Sequence, residues 1–183
     1  ILAIFLKKNN NLDNNLVIGT QMSNLGFRDF LKNNGIKYYL SNVGDRYVIE
    51  LMKEKKAVLG GEQSGHIIFS NNSYCGDGIL TALTILQILK DEKSSLSNLC
   101  KSLFKKVPQK LVNFKLNKTP QLILENIKIQ SLLKLTSEIK GCDILLRKSG
   151  TENLLRLMVQ ANSKSLVDKI INNFSLNINK LDG

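Results

Sequence analysis

The chain has 183 residues, 43% of them hydrophobic and 22% charged, which is the balance of a folded globular protein and excludes a disordered one. Its longest strongly apolar segment, Ile79 to Leu89, is too short for a bilayer and is broken by Thr81, Thr84 and Gln87, so no membrane partner is expected. Lysine and arginine outnumber aspartate and glutamate 26 to 15, a net charge of +11, but the lysines are scattered and form no block, so a solvated basic surface is expected and nucleic acid is not.

Cys75, Cys100 and Cys142 are odd in number, widely spaced and without a CxxC pair, as expected of reduced thiols in a cytoplasmic protein. His66 is the single histidine, which leaves no His-cluster metal site. The start, Ile-Leu-Ala-Ile-Phe-Leu-Lys-Lys, lacks the ordered regions of a signal peptide and reads as the end of a helix already under way. The chain is therefore expected to be a piece of a longer polypeptide.

Leu16 to Thr20 is a short apolar run ending in a loop, the pattern of a buried parallel strand. Phe27, Phe30 and Leu31 then repeat at helical spacing, with Gly35 as the stop. Ile36 to Leu40 reads as a second strand, and Val48, Leu51 and Met52 mark the next helix. Ala57 to Leu59 is a third strand, followed by a Gly-rich turn and a return strand at Ile67 to Phe69. Strands alternating with helices at this spacing argue a parallel-sheet α/β domain with right-handed crossovers. Asp77 is placed to cap a long helix from Ile79 to about Lys90, and its nearly all-round apolar surface predicts that it is largely buried. A short helix near Leu96 to Phe104 follows.

Pro108 marks a change of character, and the boundary is placed so that residues 1–106 form the first domain and 107–183 the second. Leu111 to Leu116 alternates like a strand with one covered face. Thr119-Pro120 starts a helix that is expected to run to about Ile139. Two strands follow, Asp143 to Arg147 and Leu154 to Gln160, and a last helix carries Val167, Ile170, Ile171, Phe174 and Ile178. Strand, helix, two strands and helix make a small α+β domain, with a mainly antiparallel sheet and helices on one face.

Two stretches carry chemistry. Between the last two strands lies Arg147-Lys148-Ser149-Gly150-Thr151-Glu152. Consecutive N–H groups around Gly150 can form an anion nest, Ser149 and Thr151 add hydroxyl donors, and Arg147 offers a planar fork, with Arg156 one strand-length on. A solvated hairpin loop is the competing account, since these are common turn residues. The chain has only four arginines, Arg28, Arg46, Arg147 and Arg156, among its 26 basic residues. Two of them flank this loop, where bidentate geometry and not charge alone would account for them. The second stretch is Gly61-Glu62-Gln63-Ser64-Gly65-His66, at the carboxyl end of an expected parallel strand, where open α/β sheets bind ligands. Glu62 can accept from sugar hydroxyls, Ser64 can donate and accept, and His66 can do either or move a proton. A turn with a solvated Glu62 and a backbone-capping His66 remains the alternative.

Taken together these motifs resemble the α-D-phosphohexomutases. The stretch 61–66 resembles that family's sugar-binding loop and 147–152 its phosphate-binding loop, while Val43-Gly44-Asp45-Arg46-Tyr47-Val48 resembles the phosphoglucosamine mutase branch. The resemblance runs along nearly all 183 residues, in the family's order. Asn153 departs from it, standing where the family usually has proline, a loss expected to loosen the loop's exit.

The resemblance implies the third and fourth domains of a four-domain enzyme. It would interconvert glucosamine 6-phosphate and glucosamine 1-phosphate through a phosphoserine and a 1,6-bisphosphate. On that analogy Glu62, Gln63, Ser64 and His66 hold the sugar, with His66 near the reacting end as an acid or base. Arg147, Ser149, Gly150, Thr151 and Arg156 hold the phosphate that is not reacting, and Gly44, Asp45 and Arg46 support the site. The family's serine loop and its Asp-x-Asp-x-Asp magnesium loop are absent from this chain. Gly44-Asp45-Arg46 and Gly76-Asp77-Gly78 supply one carboxylate each, too few for a Mg²⁺ site. The expected partners are a phosphosugar and the missing amino-terminal half, and the chain alone is expected to be inactive. A phosphomannomutase or phosphoglucomutase fragment, a non-catalytic sugar-phosphate-binding module, and a basic nucleic-acid-binding protein are the alternatives.

Overall fold

Leu16–Thr20 carries no charge and forms strand β1, every residue of which is buried. Burial on both faces identifies it as the middle of a covered parallel sheet. In the computed structural model, which describes residues 1–101, 103–150 and 152–183, the chain divides into two units, Ile1–Lys105 and Lys106–Gly183. In the first unit helix α1 (Leu2–Lys8) and a 3₁₀ turn (Asp13–Asn15) precede β1. Then come α2 (Leu25–Asn33), β2 (Lys37–Ser41), α3 (Asp45–Lys55), β3 (Leu59–Gly61), β4 (Ile67–Phe69), α4 (Gly78–Asp91) and α5 (Leu96–Lys101). The sheet order is β2-β1-β3-β4, with β1 parallel to β2 and β3, and β4 antiparallel to β3.

Alternation along β1 builds two cores. Leu16 and Ile18 pack with Val48 and Met52 of α3, whereas Val17 packs with Leu31 of α2 and Ala3 of α1. Helices therefore cover both faces. Helix α2 stops as its sequence predicts: Gly35 has φ 62°, and Ile36 N–H donates to the Leu31 carbonyl. The third strand lies two residues later than the apolar run Ala57 to Leu59 suggests, because Lys56 takes a left-handed φ of 53° and Ala57 N–H is spent closing α3.

Helix α4 corrects the sequence reading. Asp77 caps it, accepting from Leu80 N–H at 2.8 Å, but Ile88 is its one fully buried residue. Ile79, Leu83 and Leu86 are 77%, 60% and 60% exposed. An apolar helix reads as buried from its composition, yet burial depends on whether anything packs on each face.

The second unit contains β5 (Gln109–Lys115), α6 (Pro120–Leu124), α7 (Ile127–Ser137), β6 (Cys142–Lys148), β7 (Leu154–Ala161) and α8 (Lys164–Asp182). The strands form an antiparallel sheet in the order β5-β7-β6. Leu155, Leu157, Val159 and Ala161 of β7 pack with Ile123, Ile129, Val167, Ile170, Phe174 and Ile178 of the helices. All three helices thus lie on one face. The expected single helix from Pro120 to Ile139 is two helices. Asn126 interrupts it, because its side chain accepts from Lys128 N–H at 3.0 Å and starts α7 afresh.

Candidate functional site

In the first unit the loops after β2 and β3 leave the carboxyl ends of parallel strands that both flank β1. That topology brings Asp45, the first residue of α3, to the hairpin between β3 and β4. Gly44 precedes α3 with φ 129°, a conformation that favours glycine, and its N–H donates to Glu62 Oε1 at 2.8 Å. The hairpin is closed by Glu62 N–H donating to the His66 carbonyl at 2.9 Å, with Gly65 at φ 102° in the turn. His66 Nδ1 lies 2.7 Å from Asp45 Oδ1 and 3.8 Å from Glu62 Oε2.

The glutamate side chain is 9% exposed and the imidazole 55%. Glu62 is therefore the buried floor of the cluster and His66 its open side. Burial, and then a hydrogen bond shared with Asp45, raise the Glu62 carboxyl above its ordinary value. The same shared hydrogen bond, with His66 beside it, holds Asp45 below its ordinary value. The hydrogen bond to Asp45 raises His66. These directions separate the two carboxyls, Glu62 upward and Asp45 downward, with the His66 ring raised beside them.

Gln63 and Ser64 are exposed at the hairpin. Arg46 is not part of the cluster: its Nε pairs with Glu50 Oε1 at 2.8 Å on the exposed surface of α3. Sequence reading also missed Gly76. A Cβ there would come within 3.3 Å of His66 Cβ and 3.6 Å of Cγ, so the absent side chain makes room for the histidine. Nothing in a lone glycine between Cys75 and Asp77 signals this.

Asp45, Glu62 and His66 bring one ligand atom each within 4.8 Å of one another. The donor set nevertheless does not fit magnesium, which demands about six oxygens in octahedral geometry, usually several of them water. Here one of the three donors is a nitrogen, and that Nδ1 already bonds Asp45.

In the second unit Arg147 and Arg156 are directly opposed on β6 and β7, and Asn113 of β5 is opposite Arg156. The neighbouring residues Val112, Leu146, Leu155 and Leu157 pack on the helical side, so alternation puts this polar rung on the other face. Arg156 Nη2 approaches Glu152 Oε2 at 3.5 Å, while its Nε is buried with no hydrogen-bond partner among the described residues. Like charges directly opposite across a strand pair oppose folding unless something anionic lies between them. Asn113 was missed by the sequence reading; the signal was a polar residue between Val112 and Phe114 in an alternating strand.

Ser149 is buried, and its N–H donates to the Leu154 carbonyl at 2.9 Å, so that donor closes the hairpin. Gly150 is exposed, does not adopt positive φ, and has open space where a Cβ would sit. Its φ does not call for glycine, and the bare backbone is accessible. Thr151 lies outside the described residues. The loop's exit is tied down: Asn153 Nδ2 donates to the Leu116 carbonyl at 2.9 Å, and Leu116 N–H donates back at 3.3 Å. Asparagine thus supplies a tether where looseness was expected.

This chain is similar to a phosphoglucosamine mutase of Prochlorococcus marinus, 45% identical over 180 residues that cover 93% of this chain and 40% of that protein. It is also similar to one of Bacillus cytotoxicus, 42% identical over 173 residues covering 93% and 38%. The chain thus spans about two-fifths of the length of these relatives. Its fold matches an N-acetylphosphoglucosamine mutase of Aspergillus fumigatus solved in complex with GlcNAc-6P and magnesium, with a TM-score of 0.76 at 15% identity over 100% of this chain and 42% of that one. Residues 111–176 match the phosphoglucomutase/phosphomannomutase C-terminal domain. Residues 1–107, more than half of the sequence, match the phosphoglucomutase/phosphomannomutase alpha/beta/alpha domain III, and the chain belongs to this family.

Proposed function

We propose that this chain is the carboxyl-terminal part of a phosphoglucosamine mutase, an isomerase that interconverts glucosamine 6-phosphate and glucosamine 1-phosphate. The observation that carries a phosphosugar reading is the facing pair Arg147 and Arg156, two fork-shaped cations on one rung of a sheet. The choice of glucosamine rests on the identity with the relatives of that name. Arg147, Arg156, Ser149, Gly150 and Thr151 hold the non-reacting phosphate. Glu62, Gln63, Ser64 and His66 hold the sugar, and Gly44 and Asp45 support that loop. Arg46, paired with Glu50 on the exposed surface of α3, supports the site from outside the cluster. Phosphoryl transfer requires mainly positioning and charge neutralisation, which is what these groups supply.

Family membership implies a metal cofactor, and we take it to be Mg²⁺, which would neutralise charge on the transferring phosphoryl group. The Asp45, Glu62 and His66 donors do not suit it, so its ligands belong to the remaining length of the polypeptide, with the phosphoserine. No helix among the described residues is long and apolar enough to cross a membrane. Cys75, Cys100 and Cys142 are all free, which supports a reducing cytoplasmic setting.

The test joins this chain to the amino-terminal three-fifths of the Prochlorococcus marinus relative. The expected result is interconversion of glucosamine phosphates in preference to glucose or mannose phosphates, with no turnover by the 183-residue chain alone. A folded chimera that turns over none of them would overturn the reading, and preference for mannose or glucose would overturn the glucosamine assignment.

A further inference from the structure

Two groups hold the His66 ring. Asp45 Oδ1 accepts from its Nδ1 at 2.7 Å, and the missing side chain of Gly76 leaves room for its Cβ and Cγ. The other ring nitrogen, Nε2, has no partner among the described residues. Asp45 cannot swing away freely, because it opens α3 directly after Gly44, whose N–H is bonded to Glu62. Glu62 also faces the ring, at 3.8 Å. The loop after β2 and the hairpin after β3 are thereby joined through side chains.

We propose that Asp45 is the positioning residue of the phosphosugar site, holding the His66 ring by Nδ1 so that Nε2 is presented to a sugar or phosphate oxygen of the ligand. The proposal rests on the phosphosugar reading above and adds to it a role for Asp45 that acts through another side chain. A carboxylate at Nδ1 selects one tautomer of the neutral ring, with hydrogen on Nδ1 and a lone pair on Nε2. It also stabilises the charged ring, in which Nε2 donates, and His66 is raised by that same hydrogen bond. Without Asp45 the ring would rotate about its side-chain bonds and sample both tautomers. A neighbouring neutral amide would preserve the tautomer but not the charge.

Because His66 is the single histidine, its ring can be followed by NMR in this 183-residue chain without assignment ambiguity. In the wild type, ring ¹⁵N shifts above the titration midpoint should show hydrogen on Nδ1. Asp45→Ala should move the neutral ring toward the Nε2–H form and lower the midpoint. Asp45→Asn should keep hydrogen on Nδ1 while still lowering the midpoint, a pattern that a merely structural aspartate would not produce. In the chimera, Asp45→Ala should reduce kcat at least tenfold and shift the limb of its pH profile that reports His66, with recovery toward wild type in Asp45→Asn above the His66 midpoint, where the ring is neutral and its tautomer is kept.

An Nε2–H ring in the wild type, or a midpoint unmoved by Asp45→Ala, overturns the positioning role whatever the enzyme's substrate. Normal ring behaviour in a folded chimera that lacks all mutase activity overturns the phosphosugar reading instead, and with it the proposed purpose of the pair. Unchanged kcat in an Asp45→Ala chimera whose ring shifts have moved overturns the proposal while leaving the phosphosugar reading in place.

Discussion

Arg147 and Arg156 face one another across β6 and β7, so two like charges occupy adjacent positions on one side of a three-stranded sheet. In an ordinary sheet such a pair would cost a few tenths to about 1 kcal/mol. Glu152 offsets part of that through its contact with Arg156 at 3.5 Å. An anion between the two guanidinium groups would further favour the arrangement.

The first prediction follows from that pairing. Inorganic phosphate or glucosamine 6-phosphate should raise the Tm of the wild-type chain, and the gain should shrink in Arg147→Lys. Lysine has the charge but not the fork. In the chimera, losing a charge-assisted hydrogen bond of about 1.5–3 kcal/mol should lower kcat/KM roughly ten- to a hundred-fold. Lys148→Arg, next to it on the exposed surface, is the control. Equal kcat/KM for wild type and both variants would remove Arg147 from the phosphate site.

Glu62 separates two roles. It accepts from Gly44 N–H and is almost wholly buried, so Glu62→Ala strands a donor and should cost about 1–3 kcal/mol of stability. Glu62→Gln keeps an oxygen for Gly44 and should fold normally, yet turn over more slowly in the chimera. The wild-type group is raised above its ordinary 4.5, so the folded state retains the proton longer than the unfolded state. Its contribution is therefore present below that value and is lost as pH rises through the folded value, a slope that Glu62→Gln should flatten. If chemical denaturation shows Gln and Ala equally destabilising, the bond to Gly44 is not what Glu62 contributes.

Asp182 should give the opposite slope. At the end of α8 it accepts from the backbone N–H groups of Lys118 and Asn117, at 2.8 and 2.9 Å, and these hold its carboxyl below the ordinary 3.8. A depressed acid stabilises the fold above its unfolded value and loses that contribution as pH falls through the folded one. Hydrogen exchange at Asn117 and Lys118 should therefore accelerate below about pH 4 in the wild type, the ordinary carboxylate range. In Asp182→Asn it should be fast and nearly independent of pH once intrinsic rates are divided out. Equal protection in both proteins at neutral pH would contradict the cap.

Gly60 lies just before the sugar-loop candidate, and a Cβ there would collide with Met52 Sδ and come within 2.9 Å of Val48 Cγ1. Both partners are fully buried in the core beneath α3. Gly60→Ala should destabilise by about 1–3 kcal/mol, as overpacking does. Met52→Ala in the same chain should recover part of the loss, and strict additivity of the two changes would show that the collision is not the cause.

Much of the fold was legible because local patterns and tertiary burial agree. The alternation of Leu155, Leu157 and Val159 in β7, and the spacing of Val167, Ile170, Ile171, Phe174 and Ile178 in α8, specify faces that pair with one another. The pattern misled where burial depends on a neighbour that local sequence does not describe. Helix α4 has the composition of a core helix and exposes Ile79, Leu83 and Leu86, while Asn126 splits an apolar stretch by capping α7. Asn153 looked like a weakened loop because its partner, Leu116, lies 37 residues away.

The sequence by itself determined the two loop motifs, their order, the strand and helix alternation that carries them, and the scarcity of arginine that picked out Arg147 and Arg156. These are readable because periodicity, turn chemistry and composition act over a few neighbouring residues. The tertiary structure decided that Arg147 is opposed by Arg156, that Asn113 extends their rung, and that Asp45 and not Arg46 meets His66. Those relationships come from strand register and from two loops leaving the same end of a parallel sheet, and register is set by the packing of whole faces, which no short stretch of chain encodes.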